Sequence, residues 1–366
     1  MNILVLCLSP GFGGLELYAY REFLQMQAKG HACKMVVHDE GILASRLQSE
    51  KVPHIVLKRK ISFLPLLAAR RLARMLDDNQ IDIMHIHWGR DLALAVLARK
   101  FARRDVNIIY SRHMRLTRNK DDFYHRFLYR NIDRMVVISS QLLSEAQQFI
   151  PMPNERISLL YYGVPEPAST NTESCDNFWH ERSIKRNRFM VGLFGRMEHE
   201  KGQHLLVDAI AKLIADGMDI GAVIVGHVMD EDYSHKLKQK IKDTNTGSQV
   251  HLFPFMENPQ QYMPCFDAVV LSTYCETFGL VLIEAMRSGT AVIGTNAGGV
   301  PEIIQSGESG LLFESGDADG LADGMRQLYQ DASFKEKLAR NGKKRADAMF
   351  DEEQHFLQLE KMLLAL

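Results

Sequence analysis

Alternating strand and helix patterns predict an α/β protein with two similar halves, each built on a parallel β-sheet with helices on both faces. Two observations predict this fold class. Short apolar runs typical of buried strands alternate with longer helical patterns along the 366 residues, and a polar stretch interrupts the series near the middle. In a chain of this length, two such series favour two Rossmann-like domains.

The predicted strands recur at short intervals in both halves. They lie at residues 3–8, 33–38, 55–57, 83–87, 106–110, 135–139 and 157–160, and then at 189–194, 222–226, 250–253, 267–271, 291–294 and 310–313. Helical patterns fall between them, for example over residues 15–29, 92–103 and 141–149, and residues 317–366 are helical to the end. Ligands of such sheets bind where the parallel strands end, so we expect site residues in the loops that follow the strands.

The polar stretch sets the predicted domain limits. It contains Pro165, Pro167 and a charged cluster at 180–186, which is typical of a linker. We therefore predict a first domain over residues 1–165, a linker over 166–187, a second domain over 188–348 and a terminal helix over 349–366.

Composition excludes several classes of protein. No apolar run reaches the roughly 18 residues of a transmembrane helix, and the first residues indicate a buried strand better than a signal peptide. The five cysteines are odd in number and form no CxxC motif. This usage is typical of a reducing cytosol and argues against a disulfide framework or a structural zinc site. We expect a cytoplasmic protein.

The net charge of −1 conceals an asymmetry between the halves. Residues 1–165 carry 24 Lys and Arg against 15 Asp and Glu, whereas the remainder carries 20 against 30. The basic excess is concentrated in residues 57–76 and 99–134. Either a membrane-surface element or an amphipathic helix that covers the sheet fits the first segment. We expect the basic half to face an anionic membrane or a phosphorylated, acidic glycolipid acceptor.

Two glutamates at a predicted strand–loop–helix junction are the leading site candidates. Glu276 is predicted in the loop and Glu284 about two turns into the following helix, whose N-terminus offers free N–H groups to an anion. Two hydroxyl-binding carboxylates beside a phosphate site suit a nucleotide sugar. The alternative is a pair of glutamates that only favour the helix dipole and solvent, and the spacing alone does not separate the two.

Two cations follow the first strand of the second half. Arg196 is predicted at the strand end and Lys201 at the start of the next helix, where a diphosphate would bind. The competing interpretation is a solvated turn. In the first half, Gly13 and Gly14 follow the first strand and permit close approach of a ligand to a helix N-terminus, or simply form a turn.

Three histidines of the first half also fall near strand ends. His113 follows the predicted strand at 106–110, where a surface histidine in a basic loop is the plain interpretation. His85 and His87 alternate on one strand and face one side. No third metal ligand is evident, so core or cleft-lining histidines are favoured over a metal site.

The motifs in combination resemble a known family. Glu276-x7-Glu284, Gly195-Arg196 with Lys201-Gly202, Gly298-Gly299-Val300-Pro301-Glu302 and Gly13-Gly14-x-Glu16 occur in order across nearly the whole chain. The chain is similar to retaining glycosyltransferases of family 4, which have the GT-B fold of two Rossmann-like domains facing across a cleft. The block from Tyr110 to Arg130 is similar to bacterial members that build lipopolysaccharide and related cell-surface glycans.

The resemblance implies a role for each matching residue. Glu276 would bind hydroxyls of the transferred sugar, Glu284 would bind the ribose, and His113 matches a sugar-contacting histidine of the family. Arg196 and Lys201 would hold the diphosphate and stabilise it as it leaves. Backbone groups would complete the donor site, with Gly13 and Gly14 closing on the phosphates from the first domain. In the second domain, the backbone groups that would contact sugar and phosphate are those of Thr277, Phe278, Gly279 and Leu280.

The resemblance also implies partners and a mechanism. We expect transfer of a hexosyl group with retention from a nucleotide diphosphate sugar, UDP-linked by default, to a glycan or glycolipid hydroxyl. No metal or other cofactor is expected, nor is a nucleic-acid partner. The C-terminal helix would return to the first domain, and the enzyme would lie peripherally on the inner face of the cytoplasmic membrane.

Some features depart from the family pattern or favour other functions. Tyr162-Gly163-Val164, Gly226-His227-Val228 and the surroundings of Phe255 differ from the usual motifs, which leaves the base and the donor open. A metal-dependent GT-A enzyme would need an Asp-x-Asp motif. Residues 230–232 and 317–319 match this motif in sequence, but their acids are typical of helix starts. A sugar-nucleotide epimerase or phosphorylase, or a non-catalytic binder, remains an alternative.

Overall fold

The computed structural model describes residues 1–58, 65–167 and 172–366, and it divides into two compact units. Unit 1 comprises Met1–Tyr162 and Glu353–Leu366, and unit 2 comprises Gly163–Glu352. Each unit has one parallel β-sheet, which confirms the predicted α/β class. No helix in the described ranges is both long and apolar enough to span a bilayer.

Unit 1 is built on a seven-stranded sheet in the order β3-β2-β1-β4-β5-β6-β7. Every residue of β1 from Ile3 to Cys7 is completely buried, as expected for a central strand of a sheet covered on both faces. The strands are β1 (Asn2–Cys7), β2 (Ala32–His38), β3 (Ile55–Leu57), β4 (Ile83–Ile86), β5 (Asn107–Arg112), β6 (Arg134–Val137) and β7 (Ile157–Leu159). The helices between them are α1 (Gly14–Ala28), α2 (Ile42–Ser49), α3 (Leu66–Asp78), α4 (Leu92–Phe101), α5 (Phe123–Arg130) and α6 (Ser140–Phe149).

Helix α3 overlaps the basic segment predicted over residues 57–76. Its apolar residues Ala69, Leu72 and Leu76 are buried, so this face packs against the protein, whereas its arginines are exposed. Leu67, at the start of the helix, is 76% exposed. Residues 59–64, with the cations Arg59 and Lys60, lie outside the described residues.

Unit 2 is built on a six-stranded sheet in the order β10-β9-β8-β11-β12-β13. Its core is formed by apolar residues from β8, β9 and β11 and from the helices on both faces. The strands are β8 (Phe189–Phe194), β9 (Ile220–Val225), β10 (Val250–Phe253), β11 (Ala268–Leu271), β12 (Ala291–Thr295) and β13 (Leu311–Phe313). The helices are α7 (Thr172–Glu181), α8 (Gln203–Ala215), α9 (Glu231–Asp243), α10 (Leu280–Arg287), α11 (Val300–Ile303), α12 (Ala318–Gln330) and α13 (Ala332–Met349).

The segment predicted as a linker over 166–187 contains helix α7, which is a correction. Phe178 and Trp179 are buried and lie 5.6 and 5.1 Å from Phe266 between ring centroids. A disulfide joins Cys175 of this helix to Cys265, 90 positions later. The cysteine usage argued against a disulfide framework, but an odd cysteine count does not exclude one bridge between distant positions, and one is present. Segment 172–181 packs into unit 2.

The chain enters and leaves unit 2 beside a single buried arginine. The guanidinium of Arg287 donates to the carbonyl oxygens of Val164 (2.6 Å) and Phe350 (3.3 Å) and pairs with the Asp351 carboxylate at 3.2 Å. The backbone N–H of Val164 donates to the Phe350 carbonyl at 2.8 Å. Arg287 therefore holds together the two segments that connect unit 2 to the rest of the chain.

The predicted helical tail consists of three helices, of which the last packs in unit 1. Helix α14 (Glu352–Leu364) buries Phe356 completely. His355 Nε2 lies 2.9 Å from the hydroxyl of Tyr18, and His31 Nε2 lies 2.7 Å from a carboxylate oxygen of Glu360. Contacts between α1, the turn that follows it and α14 thus attach the C-terminal residues to unit 1.

Candidate active site

The loop between β11 and α10 carries Glu276, and its carboxylate has two donors. Lys201 Nζ donates to Oε2 at 2.7 Å, and the backbone N–H of Thr277 donates to Oε1 at 3.1 Å. The two side chains of the ion pair are 19% and 21% exposed, so each remains accessible from one side. The structure therefore joins two residues predicted from separate motifs, 75 positions apart, into one site.

Close backbone contact fixes the position of this loop. Gly298, in the loop after β12, has a φ of +64°, and a Cβ atom there would lie 1.9 Å from the backbone oxygen of Glu276. The N–H of Gly299 donates to the same oxygen at 2.9 Å. Thr273 and Tyr274 are tied to the loop after β8 through the Glu200 carbonyl, at 2.9 and 3.0 Å. Loops from three adjacent strand ends thus hold Glu276.

Helix α10 begins next to this carboxylate. Its N-cap residue, Gly279, has a φ of +107° and provides no side-chain cap to the first N–H groups. Phe278 is 2% exposed, so its ring is part of the core and not of an open surface. The sequence predicted Glu284 about two turns into this helix. Because the helix begins at Leu280, Glu284 lies only about one turn into it. The helix N-terminus remains a position that favours an anion.

Arg196 follows β8, as predicted, and its side chain is paired with a carboxylate. Its guanidinium lies 2.9 Å from the carboxylate of Glu198, and the Arg196 side chain is 57% exposed. Its backbone oxygen accepts from Gln203 Nε2 at 2.7 Å. An exposed ion pair of this kind contributes about 0–1 kcal/mol, so a phosphate ligand would displace Glu198 at little cost.

Two of the departures from the family pattern meet at the ends of neighbouring strands. His227 follows β9 and Phe255 follows β10, and their rings stack with centroids 4.5 Å apart and planes 4° from parallel. Phe255 is 49% exposed. The stack provides a flat aromatic surface at the same edge of the sheet as the loop after β8.

In unit 1, Gly13 is the N-cap residue of α1 and Gly14 its first residue. The Glu16 carboxylate lies close, because a Cβ on Gly13 would be 3.7 Å from its Oε2 atom. Glu16 is 6% exposed, so a buried acid already lies in the first turn of this helix. A phosphate here would meet that carboxylate as well as the helix N-terminus.

His113 follows β5 and is 8% exposed, so its plain interpretation as a surface histidine was wrong. Its Nε2 atom lies 3.2 Å from Nδ1 of His87, and its Nδ1 atom is hydrogen bonded to the hydroxyl of Tyr162. Burial, reinforced by the charges of His87 and His85, holds the pKa of His113 well below its usual value. The imidazole is therefore neutral at pH 7.

The sequence analysis missed Glu22, which lies on α1 between the two strand histidines. Its oxygens lie 2.6 Å from His85 Nδ1 and 3.1 Å from His87 Nε2, and all three side chains are fully buried. Burial raises the pKa of Glu22, but the two histidines outweigh this and leave it below its usual value. A third residue of metal-ligating type is thus present, and these three form a candidate cluster. The contacts within it are close approaches of a buried carboxylate to two buried imidazoles.

A charged residue within an apolar helical stripe could have revealed Glu22. Tyr18, Glu22 and Met26 repeat at four-residue intervals on the buried face of α1. A buried carboxylate needs a partner, and the histidines of β4 and its following residue provide it. The Glu22 carboxylate lies against His87, which contacts His113, so Glu22 acts through other residues.

Comparisons with known proteins agree with these two units. The family model described as "Glycosyltransferase Family 4" matches residues 12–166, and "Glycosyl transferases group 1" matches residues 176–345. N-acetyl-alpha-D-glucosaminyl L-malate synthase of Bacillus anthracis is 25% identical over 92% of this chain and 89% of its own length. The lipopolysaccharide core biosynthesis mannosyltransferase LpsB of Rhizobium meliloti is 23% identical over 74% and 76%.

A solved structure gives the same result for the fold. The crystal structure of Anabaena Alr3699/HepE in complex with UDP and glucose has a TM-score of 0.87 and 23% identity over the full length of both chains. The two family matches together span most of the sequence and correspond to the two units. The chain belongs to the family 4 glycosyltransferases of the GT-B fold, which transfer a glycosyl group from a nucleotide sugar.

Proposed function

We propose that the enzyme transfers a hexosyl group, with retention and without a metal ion, from a UDP-sugar to a hydroxyl of a glycolipid or cell-surface glycan. The observation that carries the proposal is the Lys201–Glu276 pair beside the N-terminus of α10. This pair combines a hydroxyl-binding carboxylate, a cation and free N–H groups. A sugar diphosphate needs these three kinds of group.

The charges of the site fit a departing diphosphate. One N–H of the Lys201 ammonium group is engaged by Glu276, which leaves two for phosphate oxygens. Arg196 is held only by an exposed ion pair and offers a planar, bidentate group. In the proposed reaction the acceptor oxygen bonds to the anomeric carbon while the bond to the diphosphate breaks. The acceptor proton passes to the departing phosphate oxygen, and the two cations stabilise the charge left on it.

Both oxygens of Glu276 already accept hydrogen bonds from fixed donors. This arrangement favours a carboxylate that orients sugar hydroxyls over one that attacks the anomeric carbon, and it supports retention by attack on the same face as the leaving group.

The two segments that match the Asp-x-Asp motif cap helices in this structure. Asp230 caps α9 by accepting from the N–H of Tyr233 at 3.0 Å. Asp317 caps α12 by accepting from the N–H groups of Asp319 and Gly320 at 3.0 and 2.9 Å, and Asp319 pairs with Lys212. Carboxylates used as helix caps support the proposal that the cations, and not a metal ion, offset the diphosphate charge.

The aromatic stack supports a nucleobase site. A base is a flat π-system, and His227 with Phe255 presents a flat, partly exposed surface at the strand ends of unit 2. UDP is the proposed nucleotide because the HepE structure described above holds UDP with the same fold. The cell-surface acceptor follows from LpsB, whose name assigns it to lipopolysaccharide core biosynthesis.

The basic segments support peripheral binding to the inner face of the cytoplasmic membrane. Leu67 of α3 and Phe123 of α5 are 76% and 88% exposed, and each lies on a helix with exposed arginines. Apolar side chains beside cations favour an anionic bilayer surface. Vesicles containing phosphatidylglycerol should bind the protein, with binding lost in high salt and weakened by Leu67→Ser with Phe123→Ser. Equal binding to neutral and anionic vesicles would contradict this.

The test of the reaction combines a donor panel with a matched pair of variants. The protein is assayed with UDP-, GDP- and ADP-sugars and with lipid and oligosaccharide acceptors, with and without EDTA. Glu276→Gln should lower turnover by about a hundredfold or more because it removes a charge from the reacting centre. Glu308→Gln makes the same change in an exposed turn and should leave turnover unchanged.

Several outcomes would overturn the proposal. Equal turnover of the two variants would show that Glu276 has no role in the reaction. Loss of activity in EDTA would refute metal independence. Nuclear magnetic resonance of the product linkage distinguishes retention from inversion. Formation of an epimer from the donor alone would indicate the epimerase alternative.

A further inference from the structure

Unit 1 contains a cavity of about 800 Å³ where β1, β4 and β5 end. His113 and His87 line it, so the cavity lies beside the histidine that the family resemblance assigns to the sugar. Among its lining residues in the described part of the chain, none is Asp or Glu. Five are strong cations, namely Arg90, Arg112, Arg115, Arg118 and Lys120.

Some of these cations have a structural partner and others do not. Arg115 lies 2.9 Å from Glu145, a mostly buried carboxylate that also accepts from the N–H of Leu116 at 2.9 Å. By contrast, no carboxylate of the described residues lies within ion-pair distance of Arg112, Arg118 or Lys120. These three residues form the cation cluster of the pocket, and none of them has an ion-pair partner among the described residues.

Arg112 is held in place by neutral groups. Its Nη2 atom donates to the Arg115 carbonyl at 2.8 Å and its Nη1 atom donates to the Tyr110 hydroxyl at 3.2 Å. Its Nε atom is buried and has no hydrogen-bond partner. Two of the N–H groups of this guanidinium are engaged by these bonds, so a fixed side chain that lines the cavity retains donors for an anionic ligand.

Lys120 is close enough to both arginines to be affected by their charge. Burial lowers the pKa of Lys120, and the charges of Arg118 and Arg112 lower it further, against a smaller opposing effect of Asp122. Such repulsion destabilises the empty pocket, and a bound anion relieves it. Arg118 is exposed and Lys120 is half-buried, so an entering ligand reaches both.

We propose that the cation cluster Arg112, Arg118 and Lys120 binds an anionic group, a phosphate or a carboxylate, carried by the acceptor. The inference rests on the proposed function and names the class of acceptor. Arg112 offers the N–H groups left after its bonds to Tyr110 and Arg115, and Arg118 and Lys120 add charge from the open side. An acceptor anchored there has its neighbouring hydroxyls beside His113. The enzyme thereby selects acidic acceptors over neutral ones.

The test measures anion binding directly, apart from catalysis. Titration calorimetry follows inorganic phosphate and acetate binding to the full chain in low salt. Arg118→Gln with Lys120→Gln should weaken binding by about tenfold or more, because charge-assisted hydrogen bonds are lost. Arg70→Gln with Arg74→Gln removes the same charge from the exposed face of α3 and should change binding less than about twofold. The double variant in the pocket avoids Arg112, whose loss threatens the fold of the loop.

Inorganic phosphate and acetate distinguish a phosphorylated acceptor from one that carries a carboxylate. Preference for phosphate assigns the site to a phosphorylated acceptor, and binding of acetate at least as tightly assigns it to a carboxylate. No binding of either anion, or equal weakening in both double variants, would overturn the proposal. UDP binding to the same variants should be unchanged. If the wild type binds phosphate but not UDP, the proposed function fails while this site stands.

A kinetic arm uses the acceptor itself once transfer is detected. The pocket variant should raise KM for an acidic acceptor by about tenfold and leave KM for the donor unchanged. Removal of the acidic group from the acceptor with a phosphatase should have the same effect on the wild type and little on the variant. If removal of the group raises KM for the acceptor equally in the wild type and the variant, the cation cluster does not bind that group.

Discussion

Gly298→Ala is expected to disable the enzyme by moving Glu276. The added Cβ would lie 1.9 Å from the Glu276 backbone oxygen and 2.8 Å from its carbonyl carbon. Real Cβ contacts are essentially never shorter than 3.0 Å, so the backbones of residue 298 and Glu276 must move apart by about 1 Å. A displacement of about 1 Å at a reacting centre costs about a hundredfold in turnover. The φ of +64° adds strain of about 1–2 kcal/mol to the folded state.

A matched variant separates displacement from strain. Gly289 has a φ of +76° in the same unit, but a Cβ there would meet nothing within 4 Å. Gly289→Ala should therefore lose similar stability and keep its turnover. The assay is kcat/KM for the UDP-sugar at saturating acceptor, normalised to folded protein from circular dichroism. Turnover of Gly298→Ala equal to that of Gly289→Ala would refute the claim that this contact positions Glu276.

Three further changes test the supports of the two units. Cys175→Ser should lower the free energy of unfolding by about 2–4 kcal/mol, and reductant should do the same to the wild type, whereas coincident urea curves would show that the bridge contributes nothing. Burial lowers the pKa of His355 to about 4, below its unfolded value of 6.5, so stability is complete above pH 6.5 and falls by about 3 kcal/mol as the pH drops towards 4. His355→Gln should reduce that loss in urea titrations, and an unchanged pH dependence would contradict the assignment. Arg287→Met should cost about 2 kcal/mol or more through its lost bonds to Val164 and Asp351, and a melting temperature equal to the wild type would be inconsistent with that role.

The strand series was predictable because buried parallel strands are short apolar runs whatever the tertiary context. The loop position of Glu276 followed from the same pattern. Its ion pair with Lys201 did not, since the two residues are 75 positions apart and meet only when β8 and β11 are adjacent. The sequence-based family resemblance brought the two residues together before the structure did.

Other features were hidden because tertiary contacts decide them. Helix α7 has only two large apolar residues, Phe178 and Trp179, in a polar segment. It is held by their packing on Phe266 and by the disulfide to Cys265. His113 lies in a basic loop by sequence, yet packing of α1 and Tyr162 buries it. Local composition reports neither contact, since both join residues distant in the chain.

The chain has two tryptophans, and they fall in different units. Trp179 is 5% exposed in the aromatic cluster of α7, whereas Trp88 lines the cavity of unit 1 under the guanidinium of Arg90, 5.4 Å from the ring centroid. Emission from a Trp88→Phe protein therefore reports on unit 2 alone, and emission from a Trp179→Phe protein reports on unit 1 alone. Each half of the intact enzyme thus carries its own optical probe, so unfolding of one half is observable while the other stays folded.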